Sequence, residues 1–352
     1  MITRELKLKL TKRQELILNS QIFQCSGLFN LIVRRIKLSA QDKIYYSKFE
    51  LFNQFVGHSK KTDLHSRTIQ AIIEQAYNSW DRCFKKLAKE PKLKSIRNKL
   101  NSIPFPDPIK RSKFESHNRI KFPTLGSLKF CKQELPNGNI KQSRILKKAS
   151  GWYLSLVIDT KHIFKTKETD SKVGIDTGFK DLAILSNGKK YENNRYYVKG
   201  QKRLAQAQRG KNKKLIARLH ERNKNRRKDY NHKVSKEIIQ NYSEIYITND
   251  NLKEQSKKFG KSVSDAGIGQ LRNLIIYKSE NHDRLCELVE SKYTTMTCGN
   301  CGARNGPTGL DKLAVRVWEC SDCRSVLDRD INSANVILKL GLGINLVQLK
   351  VG

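Results

Sequence analysis

The chain has 352 residues, more than a single hydrophobic core usually serves, so two or three domains are expected. Its 70 lysines and arginines outnumber 33 aspartates and glutamates, and the formal charge of +37 calls for a polyanionic partner, because each neutralised phosphate releases counterions. The sequence has no run of about 18 apolar residues, and its start, MITRELKLKL, alternates charge where a signal peptide needs an apolar core; export and membrane binding are therefore not expected.

Residues 2–10 alternate apolar with charged side chains and read as a half-buried strand. Thr11 and Gln14 have the spacing of a capping box, and Leu16, Ile17, Ile22, Phe23, Leu28, Phe29, Ile32 and Val33 then recur at helical intervals. A further amphipathic helix is expected from Thr68 to Leu87. Five of the seven prolines fall in residues 91–125, a density that excludes long helices and central strands and leaves turns and edge strands. ILKKASGWYLSLVID reads as a hairpin turning at Ser150-Gly151, so residues 100–160, joined by the first strand, are expected to form a small β-barrel interrupted by a helical insertion.

From Lys172, VGIDTGFKDLAILSNG reads as strand, glycine turn and strand, with Asp176 closing the first. Residues 198–240 read as long basic helices, whose lysines and arginines are expected to face phosphate. A strand over 245–252, a helix over 266–288 and a final helix over 331–341 complete the reading.

Eight cysteines in a chain expected inside the cell argue against a disulfide framework. Cys25, Cys83, Cys131 and Cys286 lie among apolar neighbours and read as small core residues. Cys298-Gly-Asn-Cys301 and Cys320-Ser-Asp-Cys323 are different, because two C-x-x-C knuckles at this separation have the spacing of a four-thiolate zinc site. Four protein ligands leave no position open for water, so the zinc would be structural. Asp176, after an apolar strand, and Asp330, before the final helix, would together hold Mg²⁺, which activates water and stabilises the leaving oxygen in phosphodiester hydrolysis.

Taken in order, GIDTGFKDLAILSNG, NRRKDYNHKVS, KSVSDAGIGQL, YTTMTCGNCG with WECSDC, and LDRDINSANVI resemble successive blocks of the TnpB family, transposon-encoded relatives of the type V CRISPR effectors. The resemblance spans residues 172–340 and is looser before that. It implies a multidomain α/β protein with a β-barrel: a wedge-like barrel over 1–11 and 91–165, a helical recognition insertion over 12–90, an RNase H-like RuvC nuclease domain over 168–297 and 324–352, and a zinc domain over 298–323. It also implies a prokaryotic, nucleoid-associated cytosolic protein that binds a guide RNA and cuts target double-stranded DNA beside a short flanking motif.

Asp176 and Asp330 match the first and third catalytic carboxylates of the family. The second departs from it. In the family a glutamate follows a strand in the pattern I-x-I-E-N-L-N, and here Thr248 holds that place. Two residues stand as alternatives: Asp250, which strand alternation puts on the same face as Thr248, and Glu290, near the position to which some relatives move the glutamate. Arg226, Arg227, Lys228 and Lys233 in the basic helix, and Lys92 and Lys94 in the proline-rich stretch, are the expected phosphate contacts.

Overall fold

A computed structural model describes residues 1–122, 125–160, 168–290, 292–307, 312 and 314–344. Residues 161–165 of the expected barrel, 345–352 of the expected nuclease segment, and 308–311 and 313 between the cysteine knuckles therefore lie outside the described residues. The chain divides into two units, Met1–Lys161 and His162–Gly352.

The first unit runs β1 (Ile2–Lys9), α1 (Lys12–Gln41), α2 (Lys48–Gln54), α3 (Ser66–Phe84), β2 (Ser102–Phe105), β3 (Phe114–Glu115), β4 (Arg119–Phe122), β5 (Gly126–Phe130), β6 (Asn139–Lys148) and β7 (Gly151–Asp159). The capping box forms as its spacing predicts: Thr11 Oγ1 accepts from the Gln14 N–H at 3.2 Å, and Gln14 Oε1 accepts from the Thr11 N–H at 3.1 Å. β6 and β7 pair through to Lys148↔Gly151, so the hairpin turns on Ala149 and Ser150, one residue earlier than the expected Ser150-Gly151, and Gly151 opens β7 instead. β1 joins two halves of one antiparallel sheet, residues 2–7 pairing with β7 and residues 8–9 with β5. The strand order is β2-β6-β7-β1-β5-β4-β3.

One core joins this sheet to the helices. Leu6, Ile145, Leu154 and Leu156 share it with Ile22, Ile32, Ile72 and Ile73, all at most 1% exposed. Each such side chain contributes about 1.5–3 kcal/mol relative to leaving it in water. α1 and α3 are further locked by Trp80 Nε1, which donates to the Val33 carbonyl at 3.1 Å.

The second unit runs β8 (Lys172–Asp176), β9 (Asp181–Leu185), β10 (Lys190–Glu192), α4 (Tyr196–Arg209), α5 (Lys213–Asn241), β11 (Glu244–Thr248), α6 (Leu252–Ala266), α7 (Ile268–Asn281), β12 (Leu285–Val289), β13 (Val317–Glu319), β14 (Val326–Asp328) and α8 (Arg329–Gly341). Its main sheet has the order β10-β9-β8-β11-β12, with β8, β9 and β10 antiparallel and β11 parallel to both β8 and β12. The expected helix over 266–288 is corrected here. The helix stops at Asn281, Asp283 takes a left-handed backbone (φ 53°), and Leu285–Val289 completes the sheet as a parallel strand. A period of two in five residues was hidden behind the longer helical pattern.

Strand alternation gives the sheet two different faces. Val173, Ile175, Ile245 and Ile247 enter one core with Val234 and Ile238 of α5 and Leu271 and Ile275 of α7. Gly174 and Tyr246 turn the other way, toward α8. Only glycine fits at 174, since a Cβ there would stand 2.1 Å from the Ala334 carbonyl oxygen. Gly341 likewise lets α8 approach Tyr246, whose ring would meet an added Cβ at 2.1 Å. This close packing fixes α8 against the face that bears Asp176.

Candidate active site and metal centre

Asp176 closes β8 and Thr248 closes β11, and because Ile175 pairs with Ile247 the two lie side by side on the α8 face. Asp250 follows two residues beyond Thr248. Asp330 comes from α8 itself. The expected start of that helix shifts by two residues: Asp328 is the cap, its Oδ1 accepting from the Asp330 and Ile331 N–H groups at 3.0 Å each, so Asp330 lies inside the first turn.

Asp250 and Asp330 both act electrostatically on Asp176. Burial pushes the Asp176 carboxyl up to about 7, with a hydrogen bond to Ser333 pulling the other way and the negative charges of Asp250 and Asp330 adding to the rise. Thr177 Oγ1 lies 3.0 Å from Thr248 Oγ1 and donates to Asp250 Oδ2 at 3.5 Å, so a pair of hydroxyls links the two strand ends to the second carboxylate. Arg316 NH1 donates to Asp330 Oδ2 at 3.0 Å. The three carboxylates come from three separate segments, and a hard divalent cation beside Asp176 would offset the burial and the neighbouring negative charge that raise it. Carboxylate oxygens are the donor type that a hard divalent cation takes.

Glu290 lies one residue past β12 and is exposed. Val289 is the register partner of Thr248, so Glu290 falls out of phase with the face that carries Asp176. The carboxylates that raise Asp176 are Asp250 and Asp330.

The four cysteines come together as their spacing predicts. Their sulfurs all lie within 4.8 Å of one another, and the Cys298–Cys323 and Cys301–Cys320 pairs are 3.7 Å apart. A tetrahedron with Zn–S bonds of about 2.3 Å has edges of about 3.8 Å, so the cluster is compatible with zinc. Polar groups already point at the sulfurs. Ser325, through its hydroxyl and then its backbone N–H, draws the Cys323 thiol down to about 6, and Asn305 Nδ2 donates to Cys320 Sγ at 3.4 Å. The first knuckle docks on α8 through buried Asn332, whose Oδ1 accepts from the Gly299 N–H and whose Nδ2 donates to the Thr297 carbonyl, both at 2.7 Å.

Arg226, Lys228 and Lys233 are exposed on α5, and Lys233 pairs with Asp229 at 2.9 Å. Arg227 is half-buried and lines a cavity of about 360 Å³ with Tyr197, His220, Lys224, Lys261 and Asp265. In the first unit Lys92 is exposed; Lys94 exchanges backbone hydrogen bonds with the Asn30 side chain and places Nζ 5.1 Å from the Phe29 ring centre. Lys92 and Lys94 both line a polar groove of about 580 Å³.

Thr177, Arg316, Asn332 and Ser333 were not legible as site residues. Thr177 directly follows Asp176 in GIDTG, and Asn332 and Ser333 lie next to Asp330 in LDRDINS, positions that could have drawn attention to them; Arg316 had no such neighbour.

Residues 155–257 match the family described as "Probable transposase", and residues 269–337 match the Cas12f1-like TNB domain. A candidate RNA-guided DNA endonuclease of Streptomyces pristinaespiralis is 28% identical over 309 residues, covering 80% of this chain and 73% of the relative. InsQ of Escherichia coli K12, described in the same way, is 26% identical over 79% of this chain and 75% of its own length. TnpB-like protein L79 of Acanthamoeba polyphaga mimivirus is 31% identical over 36% of this chain and 25% of its own. The chain is a relative of the TnpB proteins. Among solved structures, the Cas12f1–sgRNA–target DNA complex aligns with a TM-score of 0.39 at 16% identity, covering 96% of this chain and 99% of that one.

Proposed function

We propose that this protein is an RNA-guided DNA endonuclease of the TnpB type, which binds a guide RNA and cuts target DNA beside a short flanking motif. The observation that carries the reading is the convergence of Asp176, Asp250 and Asp330 from three segments, in a chain whose relatives are described as RNA-guided DNA endonucleases. The strand order of the second unit, three antiparallel strands continued by two parallel ones, supports an RNase H-like RuvC domain. The first unit would supply the wedge-like barrel and its helical insertion, and the cysteine cluster a structural zinc site.

In this reading Asp176, Asp250 and Asp330 hold Mg²⁺, with Asp250 standing in for the glutamate that Thr248 replaces. Bound there, the metal would supply an activated water and charge neutralisation at the leaving oxygen. Ser333 orients Asp176, and the hydroxyl of Thr177 steadies Asp250. Arg226 and Lys228 of α5 would meet backbone phosphates without reading sequence, which guide pairing does instead.

The test is to purify the protein with its RNA, reprogram the guide end, and expose a plasmid library with randomised flanks to the complex in Mg²⁺. Cutting beside one flank, lost in Asp176→Ala, is expected. A second reading rests on Thr248 alone: flank-dependent binding without cutting, equal in both proteins, would make this a nuclease-deficient binder that acts by occupying DNA.

A further inference from the structure

The cavity of about 360 Å³ that Arg227 borders lies where α4, α5 and the second half of α6 meet, just after α6 kinks at Phe259 (φ −127°, ψ 35°). Its volume falls within the range of small-molecule sites, about 300–1,000 Å³. Two glycines bring its walls together. A Cβ on Gly200 of α4 would stand 3.1 Å from Asn223 Nδ2 of α5. Gly267, which ends α6 with a left-handed backbone (φ 68°), carries the Arg227 side chain across it, and a Cβ there would stand 2.7 Å from Arg227 Cδ.

The lining combines two needs that its own residues leave unmet. His220, Lys224 and Lys261 are exposed and Arg227 is half-buried, and none of the four has a hydrogen bond or an ion pair among the described residues. Asp265 is 6% exposed. Its Oδ1 accepts from the Tyr197 N–H at 2.8 Å, at the start of α4, whereas its Oδ2 is closed to water and has no donor. A carboxylate oxygen buried in this way is costly until a donor reaches it.

Four cations call for an anion, and the carboxylate calls for a donor beside it. A bare phosphate meets the first need and is repelled by Asp265; a bare cation does the reverse. A ribonucleotide meets both, because its phosphate and its ribose hydroxyls belong to one small group, and an acidic side chain is a common acceptor for a ribose hydroxyl. Tyr197 and His220 also border the cavity, and their rings suit a base. We infer that this cavity is a ribonucleotide-binding site, its cations holding the phosphate and Asp265 accepting from the 2′-hydroxyl. The carboxylate is what makes the site selective. Residues 213–228 carry eight lysines and arginines against one acid, Glu221, so any polyanion is drawn to α5, but only a ribose offers Asp265 its donor.

The same chemistry can come from a free nucleotide or from one residue of an RNA, and the experiment separates the two. In the first arm the full chain, freed of RNA by nuclease and high salt, is titrated with the four ribonucleoside 5′-monophosphates, their 2′-deoxy forms and inorganic phosphate. One ribonucleotide should bind at one site per chain, at least about tenfold more tightly than its deoxy form or phosphate alone. Asp265→Asn, which keeps an oxygen for the Tyr197 N–H, should abolish the preference for ribose without weakening the deoxy form. Lys224→Gln and Lys261→Gln, at exposed positions that folding does not need, should weaken both forms alike by about fivefold. In the second arm the 2′-hydroxyls of the copurifying RNA are acylated in the complex: a nucleotide protected in the wild type and reactive in Asp265→Asn identifies an RNA residue as the occupant. The inference is overturned if neither arm shows a 2′-hydroxyl effect, or if the effect survives Asp265→Asn in a protein whose melting temperature is unchanged. Neither arm measures metal binding or DNA cutting, so this inference and the nuclease reading fail separately.

Discussion

The second unit contains a four-cysteine cluster and a group of three aspartates proposed to hold Mg²⁺, and the two are assembled in opposite ways. The four cysteines lie within 26 residues of chain, and each pair of ligands is set by one tight turn, so their spacing alone announces the site. The three aspartates are spread over 155 residues and meet only because β8, β11 and α8 bring them to one face of the sheet. A local site is specified by the chain that carries it, whereas a convergent one depends on everything between its members.

The largest expected effect tests the local site. Cys320→Ser, or strong chelation, should release the metal and unfold the cysteine segment, since structural zinc contributes about 10–16 kcal/mol of apparent binding free energy in comparable small sites. Metal analysis and hydrogen exchange over residues 297–328 would report it; protection of that segment unchanged after the metal is lost would contradict a structural role.

Next comes the convergent site. Asp250→Ala should reduce cleavage by at least about a hundredfold, and adding Thr248→Glu to that variant should recover a substantial part by returning a carboxylate to the strand end. Equal loss with Glu290→Ala and none with Asp250→Ala would transfer the role to Glu290.

A third effect is the pH dependence of the metal-free protein. Asp176 is held above its ordinary value of 3.8, at about 7, so between these limits the folded state binds more protons than the unfolded one. Stability should therefore fall as pH rises from about 4 to about 7, and Asp176→Asn should remove that slope. Mg²⁺ should reverse it, because the cation favours the ionised carboxylate. Thermal melts with and without metal would show both.

The smallest effect concerns the arginine that reaches across from the cysteine segment. Arg316 pairs with Asp330 at 3.0 Å with side chains 44% and 21% exposed, an ion pair of about 1 kcal/mol or less. Arg316→Gln should thus tighten divalent-metal binding by no more than about fivefold in calorimetry. An unchanged affinity would show that the guanidinium does not compete for that oxygen.

The same contrast governs what could be read from the sequence. The capping box at Thr11 and Gln14 and the four-cysteine cluster form as predicted, and the hairpin after Lys148 forms with its turn one residue early, because all three follow from residues close in the chain or set by tight turns. β12 was mistaken for the end of a helix because five residues carry too little periodicity to outweigh a preceding helical run. Asp176 and Asp330 could be picked out by pattern, whereas where Asp250 and Glu290 lie relative to them depends on the register of β11 against β8 and β12, which pairs residues far apart in the chain. Arg316 gave no signal, because a guanidinium becomes part of a site only through a neighbour that folding supplies.

The first turn of α8 makes the two clusters mechanically inseparable. Asp330 faces the other aspartates, Asn332 holds the first cysteine knuckle and Ser333 holds Asp176, all within four consecutive residues. Adding or deleting a single residue here would rotate every later side chain by roughly 100° about the helix axis and misdirect both attachments at once. Sequence drift in this turn is thus confined to changes of side chain: its length is a fixed gauge, and an insertion of any kind would uncouple the cysteine module and the carboxylates in one step.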